Sequence, residues 1–98
     1  MNFDANELEV INNTEAQRFE IHLGDDLAVL EYMNFGSNIA YTHTEVPPAY
    51  EGKGVGARLA HAALEYAKEQ GLKVNPVCPY VKSYLRRHPE YESIIWGN

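Results

Sequence analysis

Three glycines within five residues, Gly52, Gly54 and Gly56, run straight into a stretch without a helix breaker over residues 57–70. That stretch, Ala57-Arg58-Leu59-Ala60-His61-Ala62-Ala63-Leu64-Glu65-Tyr66-Ala67-Lys68-Glu69-Gln70, consists almost wholly of good helix formers. Gly71 follows it, as glycine follows many helix C-termini. Any fold for this chain must therefore hold a bare-backbone loop at the head of its longest helix. First-turn N–H groups have no intrahelical acceptor and sit at the positive end of the helix dipole. Such a place receives an anion, typically a phosphate or pyrophosphate.

Before the loop, short apolar runs alternate with turn clusters, which predicts strands over residues 8–11, 17–23, 27–33 and 39–46. Phe19, Ile21 and Leu23 fall on one face of the second strand, with Arg18, Glu20 and His22 on the other. The turns Asn12-Asn13-Thr14, Gly24-Asp25-Asp26 and residues 34–38 are short enough to join antiparallel neighbours. Pro47-Pro48 stops the fourth strand, since proline cannot donate to a ladder. In the helix, Val55, Leu59, Ala62, Ala63, Tyr66 and Ala67 make an apolar stripe. Residues 72–77 return as a fifth strand, parallel to the fourth because the helix is the crossover. A second helix over residues 79–87 stops at His88-Pro89.

The expected fold class is α+β: an antiparallel meander, one β-α-β unit and a closing C-terminal helix. With 98 residues, 45% of them hydrophobic, the chain forms one small domain with a real core, residues 1–7 being polar and frayed. A net charge of −6 argues against nucleic acid or an anionic membrane as partner and suits a cationic one, such as an amine. One cysteine, Cys78, excludes an internal disulfide and fits a reducing cytosol. No leader and no apolar run long enough to span a bilayer is seen, so the expected location is cytoplasmic. His22, His61 and His88 lack metal-ligand spacing, and no metal is expected.

Three phosphate-binding loops compete for residues 51–57. A P-loop needs a lysine and a hydroxyl after a longer spacer, but Ala57-Arg58 follows Gly56. The spacing Gly52-x-Gly54-x-x-Ala57 formally matches a dinucleotide fingerprint. It follows a meander, however, and the next strand ends at Val77-Cys78 with no acidic residue for a ribose. The third is the coenzyme A loop of the GCN5-related N-acetyltransferases, Gln/Arg-x-x-Gly-x-Gly/Ala. The chain resembles it from Gly52 onward, departing at Glu51. His43-Thr44-Glu45-Val46, Pro76-Val77-Cys78-Pro79-Tyr80 and His88-Pro89-Glu90-Tyr91 extend the resemblance over residues 8–95, to the minimal acetyltransferase-like family of about this length.

That resemblance implies an acyl-CoA N-acyltransferase-like fold that binds acetyl-CoA and transfers acetyl to an amine. Implied coenzyme contacts are Val46, Gly52, Lys53, Gly54, Val55, Gly56, Ala57 and Tyr84, with the pantetheine arm between splayed strands four and five. Larger relatives carry helices between their first two strands; residues 12–16 leave no room for them, so the acceptor side should be open. Cys78, just before Pro79 at a helix start, is where a helix dipole favours a thiolate, and the resemblance implies an acyl-cysteine route. Tyr41, His43 and Glu45 are expected on one strand face by simple alternation, His43 and Glu45 as proton acceptors. Tyr80 and Tyr84, one helical turn apart, suit the core, and Lys82, Arg86 and Arg87 complement a helix end. The alternative function is a coenzyme-A-binding or sensing module without transferase activity.

Overall fold

In the computed structural model, which describes residues 3–97, the alternation in the sequence becomes a five-stranded sheet. The strands are β1 (Ile11–Asn13), β2 (Arg18–Leu23), β3 (Asp26–Phe35), β4 (Asn38–Glu45) and β5 (Lys73–Pro76), in the order β1-β2-β3-β4-β5. The first four pair antiparallel and β5 lies parallel to β4. Helix α1 (Val55–Glu69) makes the crossover between them, and α2 (Pro79–Arg87) follows β5. The architecture is the expected α+β acyltransferase-like one.

Both helices cover one face of the sheet. Phe19, Ile21, Leu30, Tyr32, Ile39 and Tyr41 from the strands meet Leu59, Ala63 and Leu64 of α1 and Val81 of α2 in one core. Ala60 and Leu64 are fully buried while Ala62 and Tyr66 are only half-buried, so the buried stripe of α1 is rotated from the one expected. The rotation follows from α1 touching α2 and the C-terminal 3-10 turn Pro89–Ile94 as well as the sheet. Tyr41 is completely buried, and its hydroxyl donates to the Ala63 carbonyl, which satisfies the one polar atom it carries into the core. Among the described residues, no helix covers the other sheet face. Met33 and Phe35 stand exposed there.

The first strand differs from expectation. It spans Ile11–Asn13 rather than residues 8–11, so a segment read as a turn is part of the ladder. Its two asparagines, poor strand formers, are held by side-chain partners instead. Asn12 Oδ1 accepts from the Tyr32 hydroxyl at 2.7 Å, and Asn13 Nδ2 donates to Glu20 at 3.0 Å. Residues 3–7, expected to fray, also take a defined form. Asp4 caps a 3-10 turn, Ala5–Glu7, by accepting from Asn6 N at 2.9 Å, and Arg58 Nε donates to Leu8 O at 3.1 Å. This places the N-terminal segment against the start of α1.

A bulge in β4 overturns the expectation that Tyr41, His43 and Glu45 share a face. Tyr41 pairs with Tyr32, but His43 pairs with Glu31, leaving Thr42 as the extra residue. Past the bulge the alternation is reversed. Thr44, opposite Leu30, now faces the helices with Tyr41, and His43 and Glu45 face the open side.

Candidate active site

The glycine loop begins where Pro47-Pro48 ends β4 and the 3-10 turn Pro48–Tyr50 carries the chain away from the sheet. Gly54 is the N-cap of α1 with a left-handed φ of +87°, a conformation that a side chain would strain. No side chain caps this helix and no acidic residue stands in its first turn. The first intrahelical donor is Arg58 N, to Gly54 O at 3.0 Å. The amides of Val55, Gly56 and Ala57 therefore precede the helical ladder at the positive end of the dipole. An anion fits this place better than any side chain present.

Gly56 is needed for a second reason. A Cβ there would stand 2.9 Å from both Cζ and Oη of Tyr80, so the first turn of α2 lies directly over the loop. Together they border a cavity of about 350 Å³, within the range that holds a small ligand, with Thr44, Val46, Tyr50, Gly52 and Val55 also on its walls. Burial pushes the Tyr80 phenol above its ordinary pKa, with Arg87 pulling it back and Cys78 adding a smaller push upward. Tyr80 thus keeps its hydroxyl proton at neutral pH.

The cavity reaches the place where the sheet opens. β4 and β5 pair only from Asn38↔Lys73 to Tyr41↔Pro76, after which the amides of Val77 and Cys78 both donate to Tyr41 O, at 3.1 and 2.9 Å. Beyond that point β4 continues to Glu45 while the other strand turns into α2, and the two chains splay. Cys78 is the N-cap of α2, 4% exposed, with Sγ 3.3 Å from Thr44 Oγ1. Thr44 is thus the side chain between the thiol and the cavity.

On the open face, His43 Nε2 lies 3.7 Å from Glu45 Oε2, both side chains more than half exposed. Glu31 is directly opposite His43. Two strands away, Glu20 is nearly buried and accepts from Arg18 Nε and from Asn13 Nδ2, with His22 Nε2 3.4 Å from its other oxygen. The Arg18 hydrogen bond holds the Glu20 carboxyl below the ordinary carboxylate range, against the upward push of burial.

Comparison with known proteins decides the family. The family model described as GCN5-related N-acetyl-transferase matches residues 18–94, most of the chain. The chain belongs to this family. It is 36% identical over 85 residues to Protein NATD1 of Gallus gallus, covering 84% of this chain and 77% of that protein. With Protein NATD1 of Danio rerio the identity is 35% over 89 residues, covering 86% and 81%. The NMR solution structure of a GCN5-like protein from Staphylococcus aureus is 29% identical, with a TM-score of 0.73 and 93% and 90% of the two chains covered.

Set on this GCN5-related fold, the residues expected at the coenzyme divide into two groups. Val46, Gly52, Gly54, Val55 and Gly56 border the first cavity. Lys53, Ala57 and Tyr84 line a second cavity on the far side of the loop, with Gly54 common to both. Cys78 approaches the splay from the helix side, whereas His43 and Glu45 stand on the opposite face. Thr44, Tyr50 and Tyr80 border the first cavity and were not expected there. Thr44 was hidden by the bulge, which shifts side chains without a mark in the residue pattern. Tyr80 did leave a signal, in that Gly56 lacks the side chain whose place the tyrosine ring takes.

Proposed function

We propose that this chain binds acetyl-CoA and transfers its acetyl group to an amine. The observation that carries this reading is the uncapped N-terminus of α1, opening on a cavity that leads to the splay of β4 and β5. The pyrophosphate rests on the amides of residues 55–57 and the pantetheine arm follows Val46 and Tyr80 toward Thr44. Backbone donors and the dipole provide the positive field, so Glu51 at the rim does not take the place of a binding group. The acceptor amine comes from the open face, where His43 and Glu45 accept its proton, directly or through water, before it attacks the thioester carbonyl. Tyr80 then protonates the departing thiolate. Exposed carboxylates beside the splay favour a cationic acceptor, of which a peptide or protein lysine is one. A single free cysteine suits work in a reducing cytosol.

An acyl-cysteine route is the second reading, favoured by the 3.3 Å contact of Cys78 with Thr44 at the end of the cavity. There the Cys78 sulfur takes the acetyl group, releasing the coenzyme thiol, and passes it to the amine. Intact-mass spectrometry after incubation with acetyl-CoA, on the wild-type chain and Cys78→Ala, separates the routes. Direct transfer leaves no adduct and turnover of an amine panel survives in Cys78→Ala. The acyl-cysteine route gives an acetyl adduct that the variant loses along with turnover. Saturable coenzyme binding without adduct or turnover would mark a binding or sensing module, and absence of binding would overturn the coenzyme reading.

A further inference from the structure

Three large apolar side chains that stand exposed, Met33, Phe35 and Trp96, gather at one end of the open sheet face. Met33 and Phe35 alternate with the buried Tyr32 along β3 and pair with Ala40 and Asn38. Trp96 reaches the same end from the tail, because its amide donates to Val74 O at 2.7 Å and Ile95 bridges to Val74. That backbone link pins the tail along the outer edge of β5. Phe35 and Trp96, each more than half exposed, flank a cavity of about 260 Å³ with Asn38 and Asn75 on its lining. Exposed apolar side chains grouped in this way, with polar groups between them, mark an interaction surface.

The occupant follows from the charge on the rest of that face. Glu20, Glu31 and Glu45 share it with Arg18, and Arg18 is bonded to Glu20. Lys73 Nζ is turned to Ser93 O at 2.6 Å. Among the described residues Glu31 has no side-chain partner, and Glu45 has the exposed His43 at 3.7 Å. Two carboxylates therefore stand beside the splay without a fixed cation, Glu31 opposite His43 in register. A second copy of this chain would bring the same carboxylates and a further charge of −6, whereas a cationic partner is attracted. Glu31 and Phe35 are four residues apart on β3, about 13 Å at the rise of a strand. An extended peptide has the same rise and turns residues four apart to one side.

We infer that Met33, Phe35 and Trp96 hold a large apolar side chain of an extended peptide acceptor, four residues from the lysine whose ammonium meets Glu31, His43 and Glu45 at the splay. This rests on the transferase reading above and gives its acceptor a sequence preference. The lysine supplies the cation that the two carboxylates lack. The apolar side chain settles between the Phe35 and Trp96 rings, where the amides of Asn38 and Asn75 offer donors and acceptors to the peptide backbone. None of the three anchors borders the proposed coenzyme cavity, so they act on affinity for the acceptor and not on the chemical step.

Gly-Ser peptides with one central lysine, and a single leucine moved through the positions on either side of it, test the inference. Transfer is read as kcat/KM at saturating acetyl-CoA, and docking by the emission of Trp96, the one tryptophan of the chain. Leucine four residues from the lysine, on one side of it, should raise kcat/KM about tenfold through KM and shift the Trp96 emission to the blue. Phe35→Ser and Trp96→Ser should each remove that gain while the peptide without leucine is acetylated as before. Both positions are exposed, so neither change empties the core. An equal rate wherever the leucine stands, or a gain that both variants keep, overturns the inference and leaves the transferase reading standing. So does acetylation of small amines with no peptide accepted. Dimerisation in sedimentation that Phe35→Ser abolishes gives the face to a second copy and overturns it as well. Leucine-dependent docking without acetyl transfer to any amine overturns the transferase reading and keeps the apolar end as a peptide site. Neither docking nor transfer overturns both.

Discussion

Residues 38–41 and 42–45 of β4 belong to one strand but meet different surroundings. The first four have hydrogen-bonded neighbours on both sides, β3 and β5, and three of them are buried. The last four keep β3 alone, and none is buried. Between them the ladder to β5 ends and the bulge at Thr42 reverses the faces. The first half is therefore constrained by packing, and the second is free to carry polar groups to both sides of a gap. A sheet that stayed paired to its end would have no place for a ligand between its strands.

Substitutions that bring the contrast to failure should differ in kind as well as size. Ile39→Ala, in the doubly paired half, empties a completely buried site and is expected to cost about 2–5 kcal/mol in urea unfolding. A loss under about 1 kcal/mol would show that this half is packed loosely enough to relax. Gly56→Ala tests the splayed half from the other side. Its methyl meets the Tyr80 ring, so about 1–3 kcal/mol is expected along with weakened coenzyme binding. Tyr80→Ala in the same chain should recover the stability and not the binding, because the ring is the obstacle and also a wall of the cavity.

Glu20 offers a smaller and pH-dependent effect on the open face. Its carboxyl is held below its ordinary value of 4.5 chiefly by the Arg18 hydrogen bond. A depressed carboxylate contributes stability that is full above the unfolded value and is lost as pH falls through the lower folded one. Stability of the wild type should therefore fall as pH drops below about 4.5. Glu20→Gln should flatten that acid limb in a series of melts from pH 7 downward. An unchanged limb in the variant would assign the acid sensitivity to other carboxylates.

What the residue pattern made legible was whatever depends on local chemistry. The glycine loop, the helix behind it, the start of α2 at Pro79 and the Gly-marked hairpins follow from propensity and turn preference. So did the family resemblance. The first strand was misplaced because Asn12 and Asn13 read as turn formers until Tyr32 and Glu20, on other strands, supply their partners. The bulge was missed because strict alternation is the default, and one inserted residue leaves no chemical trace. Residues 3–7 looked frayed because their anchors are on α1, about fifty residues away. The misses at Asn12 and at the N-terminal segment are contacts between parts of the chain remote in sequence, and the bulge is a shift of register between two strands.

The smallest expected effect on stability is also the most direct probe of the splayed half. His43 and Glu45 are exposed, and their mutual pair at 3.7 Å is a surface one, so His43→Gln and Glu45→Gln should each change stability by less than about 0.5 kcal/mol. If these side chains receive the amine proton, the same substitutions should lower the rate of acetyl transfer and leave the affinity for coenzyme A unchanged. The proposed coenzyme cavity lies on the helix side, while the two residues look out from the opposite face past the bulge. A loss of coenzyme affinity in either variant would mean that the two faces are not separate compartments. An unchanged rate in both would leave proton removal to water, and β4's open face would serve only to admit the acceptor. The contrast between the halves of β4 then reduces to shape, a gap held open by a bulge, with the chemistry carried by Tyr80 and the loop.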